Sequence, residues 1–311
     1  MNILATDIGY GDVKFAYMKE GKLVRKKFPT AVARVTGRDS FGEGFMGTSV
    51  STIEYIKKHY LVGEEALNYP ERLIPTRTPD FNITYSPLIL YFIFKRENVF
   101  PEAISISLSI AEFKNKKEEI KKACSKFFVN GEYFEQEVVV FPQGIGIWKK
   151  AGSPQNAIII DIGHNTVDVL AIKNSKPDRE LSFGIDNMGT SMIATEIRNY
   201  IMKRFNELIT EHEAKEILAK GKFMLYRKEI PLEEIIEELK KEYSDQVFNS
   251  ILQHTGLREF FKRAEKVILA GGGAYFFSKE VQEKYGIEIP ESPEFANTEG
   301  FFQLLSEFKR S

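Results

Sequence analysis

Apolar residues 2–7 run up to Asp7, a polar glycine-containing turn follows, and apolar character returns over 13–18. A second turn at Glu20-Gly21 leads into another such stretch at 23–28. Short apolar runs joined by tight turns predict an antiparallel meander. Residues 31–50 are glycine-rich and weakly patterned, and read as a loop or a small inserted subdomain. Residues 53–62 suggest a strand pair, and 73–82, with two prolines, a loop. Pro87 marks a helix starting after Ser86, because proline suits the first helical position. Residues 103–110 read as a buried strand, 112–126 as an amphipathic helix, and 138–141 as a strand that stops at Pro142.

A short helix from Gln143 leads to Gly152-Ser153-Pro154, a candidate boundary, and the pattern then restarts. Residues 157–160 are apolar and end in Asp161, with strands predicted at 167–172 and 180–185. Apolar spacing predicts helices over 190–206, 211–219 and 232–253. A buried strand at 267–270 enters Gly271-Gly272-Gly273, and a last helix spans about 295–308. The two starts match: residues 3–14 read ILATDIGYGDVK and 158–168 read IIIDIGHNTVD. A buried strand, Asp-Ile-Gly, a polar turn and a second strand occur twice, as a duplicated lobe would produce.

Length and composition fit this picture. A chain of 311 residues suits two lobes better than one core. A net charge of −1 gives no overall basic field for nucleic acid or anionic lipid. The single cysteine, Cys124, excludes an internal disulfide and a cysteine-rich zinc site. No basic leader opens the chain and no apolar run approaches the roughly 20 residues that span a bilayer. A cytoplasmic protein without direct membrane or nucleic-acid contact is the expectation.

Asp7 ends a strand, where a carboxylate can hold magnesium through its waters. Gly9 and Gly11 let backbone amides approach phosphate oxygens, with Tyr10 between them, and Lys14 can reach back as a point charge. The second copy supplies Asp161, Gly163, Asn165 and Thr166, with Gly163 and Thr166 as candidate donors to a terminal phosphate. His164 reads as an exposed turn residue, and Asp168 as ordering its own turn or facing solvent. Gln143 either orients an attacking water or caps a helix. Gly271, Gly272 and Gly273 would leave bare backbone for a flat base or ribose, next to a helix N-terminus.

In this order, DIGYGDVK, YLVGEEA at 60–66, FPQGIG, DIGHNTVD, GGGAY and FANTEGF at 295–301 resemble the actin-like nucleotide-binding superfamily. The likeness is greatest to prokaryotic actin-like proteins of the ParM/StbA plasmid-segregation type and to short archaeal actin-like ATPases. It implies an α/β, two-lobed fold of duplicated ribonuclease-H-like domains with a nucleotide cleft between them. The first lobe would cover 1–150, with an insertion at about 31–84 and the C-terminal helix 295–311 packing back; the second would cover 151–294. By resemblance, Asp7 and Asp161 hold hydrated magnesium and Asp161 helps activate water. Lys14 bridges phosphates, Gln143 positions water, and Gly163 and Thr166 meet the terminal phosphate. Gly189 lies near the ribose, and Gly271, Gly272, Gly273 and Tyr275 border the adenosine. Tyr10 departs from the small hydroxyl residue common in the first phosphate turn. Lys215 or Glu216 would contact the base, against the plainer expectation of a solvated helix face.

The implied activity is a magnesium-dependent ATPase or GTPase that polymerises with itself into cytomotive filaments. Plasmid or DNA segregation through a DNA-binding adaptor would be its use. A small-molecule kinase of the same fold is the alternative, and a chaperone-like switch a third. Exposed Phe41, Phe45 and Tyr55 would join subunits or belong to a core.

Overall fold

The protein is described by a computed structural model covering residues 2–36, 52–78 and 80–310. Most of the glycine-rich stretch, with Phe41 and Phe45, lies outside the described residues. The chain forms two compact units, residues 1–142 with 301–311, and residues 143–300. The chain crosses between them at Pro142–Gln143 and Gly300–Phe301, against expected crossings at 150/151 and 294/295.

In the first unit, β1 (Ile3–Ile8), β2 (Asp12–Lys19) and β3 (Lys22–Pro29) form the expected meander. A small antiparallel sheet follows, of β4 (Val32–Val35), β5 (Ile53–Tyr55) and β6 (Lys58–Val62). Tyr55 is half-buried in β5 and packs with the core. Helix α1 is Phe81–Glu97, so it starts earlier than the position of Pro87 suggested, and Pro87 lies inside it. Pro87 lies in the second turn, and it is buried among the core residues of α1. Then come β7 (Ala103–Leu108), α2 (Ile110–Ser125), a hairpin of β8 (Lys126–Val129) and β9 (Glu132–Glu135), and β10 (Glu137–Pro142). The main sheet has the order β10-β7-β1-β2-β3. β1 and β7 are buried along their whole length, as parallel strands covered on both faces must be. Cys124 is fully buried in α2, and burial pushes its thiol pKa up.

The second unit opens with α3 (Ile145–Lys150) and repeats the plan with β11 (Ala157–Ile162), β12 (Thr166–Lys173) and β13 (Lys176–Asp186). Helices α4 (Thr190–Phe205) and α5 (Glu211–Lys220) precede a hairpin of β14 (Lys222–Leu225) and β15 (Lys228–Pro231). Next are α6 (Glu233–Leu252), α7 (Thr255–Phe261), β16 (Lys266–Ala270), α8 (Lys279–Tyr285), β17 (Ile287–Glu288) and α9 (Ala296–Phe308). α5 begins with a capping box, in which Thr210 accepts from the Glu213 amide and Glu213 from that of Thr210. The main sheet has the order β13-β12-β11-β16-β17. Each sheet is therefore an antiparallel meander extended by two parallel strands beside its first strand. The duplication seen in the sequence is a duplication of sheet topology, and the fold is α/β with one such sheet in each unit.

Candidate functional site

In the first unit, Asp7 and Lys14 face each other across β1 and β2. Lys14 Nζ lies 3.9 Å from Asp7 Oδ2, and Ser107 Oγ on β7 donates to Asp7 Oδ1 at 2.5 Å. Asp7 is only 3% exposed, so these partners replace the water that a buried carboxylate has lost. The turn above is fastened through its carbonyls. Thr30 Oγ1 donates to the carbonyl of Gly9 at 2.7 Å, Thr76 Oγ1 to Tyr10 at 3.2 Å, and the Thr30 amide to Gly11 at 2.9 Å. In a trans peptide plane the N–H points away from the C=O. The amides of Tyr10, Gly11 and Asp12 are thus directed away from the threonines that hold the turn. Consecutive amides presented this way form an anion-binding concavity.

The second unit builds the same device from different parts. The carbonyls of Gly163, His164 and Asn165 accept from the amides of Thr190, Ser191 and Gly189 at 3.0, 2.9 and 3.1 Å. The first turn of α4, whose amides lack partners within the helix, takes the place of the two threonines. The amides of His164, Asn165 and Thr166 are directed away from α4. Gly189 makes this approach possible, since a Cβ there would lie 2.5 Å from the His164 carbonyl. Its backbone thus serves the hairpin. Two expected donors are also committed. The Gly163 amide bonds the Thr166 carbonyl at 2.9 Å, and Thr166 Oγ1 donates to Asp168 Oδ2 at 3.2 Å.

Asp161 and Asp168 are directly opposite on β11 and β12, at the positions Asp7 and Lys14 occupy in the first unit. Asp168 is 3% exposed, which corrects the expectation that it faces solvent, while its bond to Thr166 agrees with a turn-ordering role. Asp161 Oδ2 accepts from Asn297 Nδ2 at 2.6 Å, and Asn297 Oδ1 accepts from the Gly144 amide at 3.0 Å. Half-buried Gln143 is the residue before Gly144, so the backbone of its segment is tied to Asp161 through Asn297. The sequence motif FANTEGF contains Asn297 without assigning it a role. Only the Asn in that motif hinted at it, because its partners are 136 and 153 residues away.

The glycine triplet divides its work. A Cβ on Gly271 would strike Asp161 Oδ1 and the Ile162 carbonyl, and one on Gly273 would strike the Ile162 side chain. Gly271 also has φ +81, a left-handed conformation that glycine adopts without strain. Gly272 faces open space. The turn that follows, Gly272–Phe276, is a short 3-10 helix, too short to act as the helix N-terminus expected there. Tyr275 is 55% exposed and its hydroxyl donates to Glu294; partial burial and that bond push its pKa up to about 12.

His164 is not the exposed residue expected. Its side chain is 18% exposed, with Nδ1 3.0 Å from Lys215 Nζ and 3.3 Å from Glu211 Oε1. Lys215 of α5 therefore faces the second hairpin, while Glu216 pairs with Lys220 on the solvated side.

Two family models match the chain. The N-terminal domain of actin-like proteins matches residues 5–146, and the C-terminal domain of the archaeal MreB-like actin homologues matches residues 159–283. The chain belongs to the actin-like superfamily. Among solved structures, the archaeal actin homolog Ta0583 superposes with a TM-score of 0.81 at 22% identity, over 99% of this chain and 100% of that one. Its complex with ADP superposes at 0.76 and 19% identity, over 99% and 100%. A 15-stranded ParM filament from Clostridium botulinum gives 0.71 and 19%, again over 99% and 100%. These likenesses establish the fold. No curated protein sequence is significantly similar to the chain.

Each unit ends a buried strand in a carboxylate, the kind of donor that holds a divalent cation through its waters. Asp7 and Asp161 end buried strands, and Asp168 adds a second carboxylate opposite Asp161. Among the described residues no group of three or more metal-ligating side chains converges. Among the described residues, Asn165 Oδ1 is buried without a hydrogen-bond partner. Among the described residues, no helix is long and apolar enough to cross a membrane.

Proposed function

We propose that the chain binds a nucleoside triphosphate with magnesium, hydrolyses it, and couples hydrolysis to its own assembly into filaments. The observation that carries this is the pair of hairpins, each with three consecutive carbonyls held from one side and the amides of the same peptides turned to the other. Such amides suit phosphate oxygens without requiring any particular side chain, which explains how Tyr10 is accommodated in the first turn. Asp7 in the first unit and Asp161 in the second are the carboxylates proposed to hold magnesium through water, and the ion would neutralise charge on the phosphates. Lys14 supplies a cation beside Asp7, and Asp161 with Gln143 orients the attacking water. Phosphoryl transfer needs mainly such placement and charge. Gly272 offers open backbone to the base, and Tyr275 borders it.

ATP is the proposed substrate, since the ADP complex of Ta0583 has the same fold. Self-assembly is supported by the ParM filament, and a cytoplasmic role in moving DNA through an adaptor extends that likeness. The test is light scattering and phosphate release after adding ATP with magnesium, with GTP and with EDTA as comparisons. Scattering should rise only with nucleotide and magnesium, and Asp161→Ala should cut phosphate release by about a hundredfold or more while circular dichroism stays unchanged. Unchanged release in that variant would remove Asp161 from the reaction. Flat scattering with every nucleotide would remove the filament.

A further inference from the structure

Asn297 stands at the centre of the second unit's network with both ends of its amide committed. Nδ2 donates to Asp161 Oδ2 and Oδ1 accepts from the Gly144 amide. The chemistry fixes the orientation, because the NH2 must face the carboxylate and the oxygen must face the N–H. The residue is 4% exposed, so little water competes for either bond. The other Asp161 oxygen lies against Gly271, where no side chain fits. Asn297 reaches this place because two glycines let backbones meet. A Cβ on Gly146 of α3 would lie 2.2 Å from the Asn297 carbonyl, and one on Gly300 of α9 would lie 1.8 Å from the Gly146 carbonyl.

We infer that Asn297 is a positioning residue that holds Asp161 in its hydrolytic orientation and ties the Gln143 segment to it. This rests on the proposed hydrolytic roles of Asp161 and Gln143. One side chain then sets two groups that must act together, and an error in either position slows the reaction more than it weakens binding.

The test uses Asn297→Asp, which keeps the acceptor for Gly144 and replaces the donor with a carboxylate facing Asp161. Two carboxylates at hydrogen-bond distance repel one another and leave the lost donor unreplaced. Without nucleotide at neutral pH, the melting temperature of Asn297→Asp should therefore fall below that of wild type. The exchanged pair, Asn297→Asp with Asp161→Asn, restores a donor and an acceptor and should recover that loss. With nucleotide, Asn297→Asp should lower turnover by about tenfold or more and change affinity less than about threefold. The exchanged pair should recover stability but not turnover.

A wild-type melting temperature and turnover in Asn297→Asp would overturn the inference. Should the single variant fail to fold, an exchanged pair that folds supports the contact, and one that does not fold overturns it. A wild-type protein that hydrolyses no nucleotide, with the exchange still rescuing stability, would instead overturn the functional proposal.

Discussion

Replacing Gly300 by alanine sets two physical terms of opposite sign against each other. Gly300 lies in the interior of α9. Helix propensity alone favours alanine over glycine there by about 1 kcal/mol. A Cβ at this position, however, would lie 1.8 Å from the Gly146 carbonyl oxygen and 2.4 Å from its carbon. Ordinary contact begins near 3.4 Å, and the obstacle is backbone rather than a side chain that can swing aside. The two segments would have to separate, straining the ion pair of Lys150 and Glu299 at 2.9 Å and the two bonds of Asn297. Overpacking alone costs about 1–3 kcal/mol. Loss of a charge-assisted hydrogen bond adds about 1.5–3 kcal/mol. The expected net loss, after the propensity gain, is about 1.5–5 kcal/mol. Urea denaturation followed by circular dichroism measures it as a lower midpoint. Gly146→Ala should behave alike, since its Cβ would meet the Asn297 backbone at 2.2 Å. Equal or higher stability in either variant would show that propensity wins, and would refute the close approach of α3 and α9.

Gly272→Ala should leave stability within about 0.5 kcal/mol of wild type, because its Cβ meets open space. The same methyl should weaken nucleotide binding about tenfold by titration calorimetry, and an unchanged affinity would remove Gly272 from the site. Buried Glu97 accepts from Tyr17 and Lys26 at 2.8 and 2.5 Å. Burial pushes its carboxyl pKa up, but the bonds to Lys26 and Tyr17 and the charges of Lys26 and Arg96 outweigh this and hold it below the ordinary value. Its stabilising contribution is therefore present above the unfolded-state pKa and lost as acid protonates it in the folded protein. Glu97→Gln should cost about 1–2 kcal/mol at neutral pH, since Lys26 is half exposed. The gap should narrow as pH falls below about 4.5, and a gap that widens would refute the assignment.

Both meanders were legible because their central strands are buried on both faces and end in the same Asp-Ile-Gly. The β14–β15 hairpin was not: its turn is Tyr226-Arg227, both at positive φ, without the asparagine or glycine that normally announces such a turn. The β8–β9 hairpin escaped because Phe128 and Tyr133, paired across it, are both largely exposed and break the usual alternation. The start of α1 differs from the sequence expectation because Pro87, which suits a first helical position, lies inside the helix instead. At the site, carboxylates at strand ends could be read locally. What touches them could not, as with Ser107 at Asp7 and Asn297 at Asp161, each a hundred or more residues away. His164 was misjudged for the same reason, since Glu211 and Lys215 arrive on a separate helix.

The buried thiol of Cys124 leaves the natural chain silent toward maleimides. It is the sole cysteine, fully enclosed, and its raised pKa keeps it protonated. A cysteine introduced at exposed Tyr226 or Leu208 would then be the one thiol open to a fluorophore, with no native residue to remove first. Single-site dyes would let assembly be followed by energy transfer between labelled copies at concentrations too low for scattering.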